Sequence, residues 1–209
     1  MTYIGRVSIS SAQDRLERLI DERLRKGSDK QAVDRRIWDL FGEEWTVMCT
    51  DLAGFSKRSN DFGIIHFLQT IVESQRIFVP VIDRHEGILL KVEADSLLLI
   101  FRSTRKALEC AVEMVRQARQ YNVGRIDAEQ ILICVGVGVG TMLRIGEHDV
   151  YGQEVNSASK LGEDTAKPWE ILVTSSVRTE CVSVPDVEFL PIEDAPSSVG
   201  EAYRLVYGD

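Results

Sequence analysis

The sequence predicts an α+β fold with a ferredoxin-like βαββαβ core, continued by extra C-terminal strands and a helix. Three observations predict it. Apolar runs rich in β-formers at 45–51, 87–92, 96–102 and 130–142 are interleaved with helix-period stripes at 60–83 and 104–121, the order of a split β-α-β pair with helices on one face of an antiparallel sheet. The second and third runs are separated by Glu93-Ala94-Asp95 alone, a hairpin with almost no loop. The fourth run has glycine at every second position from Gly136 to Gly140, so one of its faces is bare backbone and admits something close.

The elements follow in order. Residues 1–10 read as an extended or loosely ordered lead-in. A helix from Ser11 puts Ala12, Leu16, Leu19, Ile20 and Leu24 on one face and is stopped by Gly27-Ser28-Asp29. A second helix over 31–42 turns Val33, Ile37, Leu40 and Phe41 inward. These helices define an N-terminal extension, 1–43, ahead of a main domain, 44–209. After the strand at 45–51, the stripe Ile64, Phe67, Leu68, Ile71, Val72, Ile77 and Val81 makes a long helix whose last turn Pro80 kinks or shortens. Ser103 caps the helix over 104–121, with Ala107, Leu108, Ala111, Val112, Val115 and Ala118 inward. A hairpin around Gly146 joins 142–145 to 148–151, and a helix over 153–164 carries Asn156 and Lys160 one turn apart on one face. A strand at 171–174 and a last pair at 186–190 and 201–207 finish the chain.

Composition narrows the function. The 209 residues suffice for one domain with a sizeable core. A net charge of −8 argues against a general nucleic-acid-binding surface. No stretch approaches the roughly 20 apolar residues that span a membrane, and no secretory signal pattern opens the chain, so a cytoplasmic location is expected. Cys49, Cys110, Cys134 and Cys181 lie far apart with no C-x-x-C pair and read as buried, reduced thiols.

The chemistry-bearing stretch is Trp45–Ser56, where an apolar run ends in Asp51 and a small-residue turn. Such a strand delivers a carboxylate at its carboxyl end. The turn Leu52-Ala53-Gly54-Phe55-Ser56 offers backbone N–H groups, with Gly54 letting the chain approach a phosphate. Asp95, at the hairpin tip, supplies a second carboxylate. Either aspartate alone reads as an ordinary turn residue, and the glycines alone as a seat for a close-packed helix. Together they point to metal-assisted phosphoryl chemistry.

These motifs, in order, resemble the catalytic domain of class III nucleotidyl cyclases over about 44–178. Asp51-Leu-Ala-Gly-Phe-Ser is similar to that family's first metal motif, and Lys91-Val-Glu-Ala-Asp95 to its base-binding lysine and second metal aspartate. Val135–Gly140 is similar to its glycine strand, and Asp149-Val-Tyr-Gly-Gln-Glu-Val-Asn156-Ser-Ala-Ser-Lys160 to the segment reading base, ribose and phosphate. The resemblance implies a two-metal cyclisation of a nucleoside triphosphate. Asp51, the Leu52 carbonyl and Asp95 would hold two Mg²⁺ or Mn²⁺ per site, and Gly54, Phe55 and Ser56 would line the phosphates. Lys91 and Asp149 would read the base, Asn156 would orient the ribose, and Lys160 would meet charge on the α-phosphate. Family sites are built from two domains, which implies a head-to-tail homodimer, with the helices of 11–42 extending the interface. The sequence departs from the family in two places: Lys160 stands where it has arginine and Ala94 where it has glycine, and Glu93 adds a carboxylate near the site. Arg178 is the candidate for a further phosphate-binding cation.

A donor at Lys91 and an acceptor at Asp149 suit adenine, uracil or cytosine, and guanine less well. A short chain with no sensor domain resembles the pyrimidine cyclases of bacterial antiphage defence (Pycsar), whose cyclic UMP or CMP is read by a separate effector, so the reading leans to UTP or CTP. Adenylate cyclase, making cyclic AMP from ATP, is the alternative, and a catalytically inactive nucleotide-binding module a third. The presence of both aspartates argues against the last. A diguanylate cyclase would carry Gly-Gly-Asp/Glu-Glu-Phe on the hairpin, which Lys91-Val-Glu-Ala-Asp-Ser does not match, and an RNA-binding sheet would need aromatics on its central strands and a basic face. Residues 131–141 have neither of these.

Overall fold

A computed structural model describes residues 3–54, 63–181 and 187–208, with the backbone alone over 3–11. Helix α1 (Tyr3–Leu24) and helix α2 (Lys30–Phe41) lead into strand β1 (Gly42–Leu52). Then come α3 (Ile64–Arg84), the hairpin β2 (Ile88–Glu93) and β3 (Ser96–Phe101), α4 (Thr104–Asn122), and the long strand β4 (Ile133–Ile145). The chain continues through β5 (Asp149–Tyr151), α5 (Gln153–Ser159), a π-helical turn (Lys160–Thr165), β6 (Ile171–Thr174), α6 (Ser175–Cys181), β7 (Val187–Pro191) and β8 (Ala202–Tyr207).

One sheet runs β2-β3-β1-β4-β6-β8-β7, with β5 paired to the end of β4. Its first four strands are antiparallel neighbours in the ferredoxin-like order. Strand β6 lies parallel to β4 from Val135 to Val137, so the sheet is mixed beyond the core. Alternation along β1 and β4 divides the side chains between two faces. Met48, Leu97, Leu99, Val135, Val137 and Val139 pack with Phe78 and Ile82 of α3 and with Ala111 and Val115 of α4. Trp45, Val47, Cys49, Ile100, Met142 and Val150 pack on the opposite face around Ala158 of α5. Helices therefore cover both faces, not the single face expected. The glycines are the reason: a Cβ on Gly136 would stand 2.0 Å from the Ala158 carbonyl oxygen and 2.5 Å from the Gly162 nitrogen, so the bare row of β4 is where α5 and the π turn sit.

Other expectations need correction. Helix α1 begins at Tyr3, where an extended or loosely ordered lead-in was expected; elongating an established helix costs far less than starting one, so mediocre helix formers are carried along. In α2, Val33, Ile37 and Phe41 are buried but Leu40 is 50% exposed. Helix α3 passes through Pro80 to Arg84. It buries Phe67, Ile71, Phe78, Val81 and Ile82, yet leaves Ile64, Ile65, Leu68 and Val72 in solvent. Helix α6 was unanticipated. Helices α1 and α2 share a small core of Leu19, Val33, Ile37 and Phe41, which packs on Leu143 and Ile145 of β4. All four cysteines are free and buried, as the sequence predicts, and no described helix is long and apolar enough to cross a membrane.

Candidate active site

Strand β1 pairs with β3 from Thr46–Phe101 to Thr50–Leu97, which brings the end of β1 beside the start of β3. Asp51 emerges there, and Ser96 Oγ donates to its Oδ1 at 3.3 Å. Directly before Ser96 the hairpin turns at Ala94 and Asp95, and Ala94 takes φ 52°, a left-handed conformation that glycine adopts without strain. The turn sets Asp95 near Asp51, so that each carboxyl acts on the ionisation of the other. Burial pushes Asp95 up to about 6, reinforced by the Asp51 charge and, more weakly, Glu163. Burial likewise raises Asp51, against hydrogen bonds from Leu52, Ser96 and Asp95, and with Asp164 adding to the rise.

Lys91 reaches this region by a register shift. Leu89 pairs with Leu99 and Lys91 with Leu98, so a bulge falls between them. The extra residue turns Lys91 to the face of Leu98, the one covered by α5. There its ammonium pairs with Asp149 Oδ1 at 2.7 Å and more loosely with Glu93 Oε1 at 3.4 Å. The Asp149 hydrogen bond and charge hold Lys91 above the ordinary lysine value. Asp149 is available because β5 folds back on β4 with Asp149 opposite Ile145.

Helix α5 closes the site. Lys91, Glu93, Ser96, Leu98, Val155 and Asn156 line one cleft of about 190 Å³, together with Cys49, Leu97, Ser159 and Glu163. Burial pushes the Cys49 thiol up to about 12, so it is an inert surface and not a nucleophile. A second cavity, about 350 Å³, is lined by Gln153, Asn156, Ser157, Ser159, Lys160, Asp164 and Ser198. Asn156 and Ser159 border both, so the exposed Asn156 and Lys160 side chains stand along one continuous surface. Close approach imposes the π turn's composition: a Cβ on Gly162 would meet the Cys49 carbonyl oxygen at 2.6 Å and the Gly136 nitrogen at 2.8 Å.

The structure thus brings together Asp51 with Asp95, Lys91 with Asp149, and Asn156 with Lys160, on one side of the sheet. Gly54 has φ 81°, and the turn is tied down by Ala53 N–H donating to the Leu132 carbonyl at 2.7 Å. Phe55 and Ser56 lie outside the described residues. Arg178 is engaged elsewhere, donating to Tyr203 Oη at 3.2 Å on β8. Sequence reasoning missed Ser96, Glu163 and Asp164. The first follows from strand pairing, and the other two from counting two turns on from Asn156 and one turn on from Lys160.

Among the described residues, no group of three or more His, Cys, Asp or Glu is arranged as a ready-made metal site. The two aspartates nonetheless fit a divalent cation. Two carboxylates pressed together, both raised, with Glu163 raised by burial and then by Asp51 and Asp164, form a surplus of negative oxygen that a hard cation relieves. Open coordination is what an ion shared with substrate phosphates requires.

The family model for the adenylate and guanylate cyclase catalytic domain matches residues 42–193. The chain belongs to this family. It is a class III cyclase domain, and the ferredoxin-like core is that family's fold. A Rhizobium meliloti (strain 1021) protein carrying an adenylate cyclase designation is 23% identical over 162 residues, 77% of this chain; the chain spans 26% of that relative's length. Among solved structures, an adenylate/guanylate cyclase/hydrolase from Silicibacter pomeroyi superposes with a TM-score of 0.65 at 23% identity, covering 78% of this chain and 95% of that one. The guanylate cyclase domain of RhGC from Catenaria anguillulae, solved with GTP, gives a TM-score of 0.66 at 17% identity, covering 80% and 98%.

Proposed function

We propose that this cyclase domain converts a nucleoside triphosphate to a 3′,5′-cyclic nucleotide and pyrophosphate. The observation that carries the reading is that one chain holds both halves of such a site: the Asp51–Asp95 pair, and a surface carrying Lys91, Asp149, Asn156 and Lys160. In the reaction the ribose 3′-oxygen bonds to the α-phosphorus, the bond from that phosphorus to the bridging oxygen breaks, and the hydroxyl proton is lost. Asp51, the Leu52 carbonyl and Asp95 would hold two Mg²⁺ or Mn²⁺ ions, which would supply acidification of the hydroxyl and neutralisation of the triphosphate. The turn at Gly54, Phe55 and Ser56 would receive the phosphates through its backbone N–H groups. Asn156 would hold the ribose in line. Lys160 would stabilise charge growing on the α-phosphoryl oxygens, as a point charge and not as a bidentate fork.

The site is completed by a second copy of the chain, metals from one and base, ribose and phosphate contacts from the other. Supporting this, Ile64, Ile65, Leu68 and Val72 leave an apolar stripe exposed on α3, of the kind that marks an interface. Residues 1–43 form an extension to the catalytic unit 44–209 that enlarges this dimer.

For the base, a pyrimidine is the first reading, supported by the Lys91–Asp149 donor–acceptor pair, which suits uracil or cytosine as well as adenine. On that reading UTP or CTP is cyclised, and the product is an antiphage signal read by a separate effector. ATP is the second reading, favoured by the donor–acceptor pair of Lys91 and Asp149 and by the adenylate cyclase designation of the Rhizobium relative. Purified protein incubated with each of the four triphosphates and Mn²⁺ should yield a cyclic nucleotide, fastest from UTP or CTP. Faster conversion of ATP would replace the pyrimidine reading with the adenylate one. Absence of any cyclic product would overturn the cyclase reading.

A further inference from the structure

The glycine row of β4 seats more than helix backbone. Strand β6 borders β4 from Val135 to Val137, and beyond it the β4 edge turns to a side chain for its hydrogen bond. Val139 N–H donates to Glu154 Oε2 at 3.2 Å. The same oxygen accepts from Thr174 Oγ1 at 2.8 Å, and Oε1 accepts from Ser176 Oγ at 3.2 Å. One carboxylate therefore joins the first turn of α5 to β4, to the last residue of β6 and to the start of α6. It lies over the bare backbone: a Cβ on Gly138 would come within 2.8 Å of Glu154 Oε2, and one on Gly140 within 3.1 Å of its Cγ.

We infer that Glu154 is the positioning residue that fixes α5, and through it Asn156 and Lys160, over the sheet. The inference rests on the cyclase reading for what Asn156 and Lys160 do, but not for the anchoring itself. Three donors converge on one carboxylate, and Thr174 is 3% exposed, so little water is at hand to replace a lost partner. Two residues further along the same turn stands Asn156. Six further stands Lys160, at the entry to the π turn. Packing at Ala158 and Gly162 seats the far end of this seven-residue helix, and Glu154 ties down its first turn.

Replacement by glutamine preserves the network, because its amide oxygen accepts from Val139 and Thr174 while its NH₂ donates to Ser176. Alanine removes every acceptor. The test compares wild type, Glu154→Gln, Glu154→Ala and the milder Thr174→Val in the full chain, by deuterium exchange of 153–165 and by turnover of the preferred triphosphate with Mn²⁺. Glu154→Ala should exchange faster over 153–165 while β1–β3 stay protected. Its kcat should fall about 10–100-fold with KM nearly unchanged, as expected for catalytic groups displaced by about an ångström. Glu154→Gln should restore both, and Thr174→Val should shift both in the same direction by less. Wild-type exchange in Glu154→Ala, or a lowered melting temperature with kcat retained, overturns the inference. If wild type cyclises none of the four triphosphates, the cyclase reading falls, while the exchange comparison still decides the role of Glu154: faster exchange upholds it and unchanged exchange overturns it.

Discussion

At the residue scale, the site carries a penalty, from burial first and like charge second, that the fold tolerates. Asp95 sits well above an ordinary aspartate because it is partly buried and faces Asp51. A carboxyl raised on folding favours the native state least when ionised, so in metal-free protein this pair's penalty is full above about pH 6 and eases as pH falls toward the unfolded value near 4. Asp95→Asn should therefore abolish turnover yet raise the metal-free melting temperature by a few degrees near pH 8, the gain shrinking toward pH 5. A variant that loses activity and also melts lower across that range would contradict this account. Both aspartates were legible in the sequence, since each ends or begins an apolar strand. The setting of Lys91 was not: the bulge after Leu89 is marked by no glycine or proline, and only strand register reveals it. Ala94 shows the reverse case. Its departure from glycine was visible in sequence, but the left-handed backbone that makes it matter is a structural fact.

At the scale of elements, the glycine row of β4 and the α5–π segment form one joint. Gly136 meets backbone on its bare side, at Ala158 and Gly162, and backbone cannot swing aside as a flexible side chain can. Gly136→Ala should destabilise the fold by about 3 kcal/mol, the upper end of ordinary overpacking, which chemical denaturation would measure. A cost below about 1 kcal/mol would mean that α5 shifts easily on the sheet. The sequence showed that something must lie against those glycines, without showing that it is the helix carrying Asn156. Periodicity has no record of which non-adjacent segments meet. For the same reason the parallel β4–β6 pair was unforeseen, and helix α6 was missed because Ser175–Cys181 is too short to establish a helical stripe.

At the scale of the whole molecule, the fold was legible because four apolar runs and two helical stripes admit few topologies, and Phe67, Ile71 and Val81 went inward as their spacing required. Helix α3 also exposes Ile64, Leu68 and Val72, an apolar surface that a second copy would cover. In the proposed dimer, Asp51 and Asp95 of one chain work with Lys91, Asp149, Asn156 and Lys160 of the other. Mixing two inactive proteins tests this most directly. Asp95→Ala chains keep an intact base and ribose half, and Asn156→Ala chains an intact metal half. After subunit exchange, half the dimers are mixed and each has one whole site, so activity should return to about a quarter of wild type in a symmetric two-site dimer. Exchange demonstrated by differently tagged subunits, with no activity regained, would contradict the shared site.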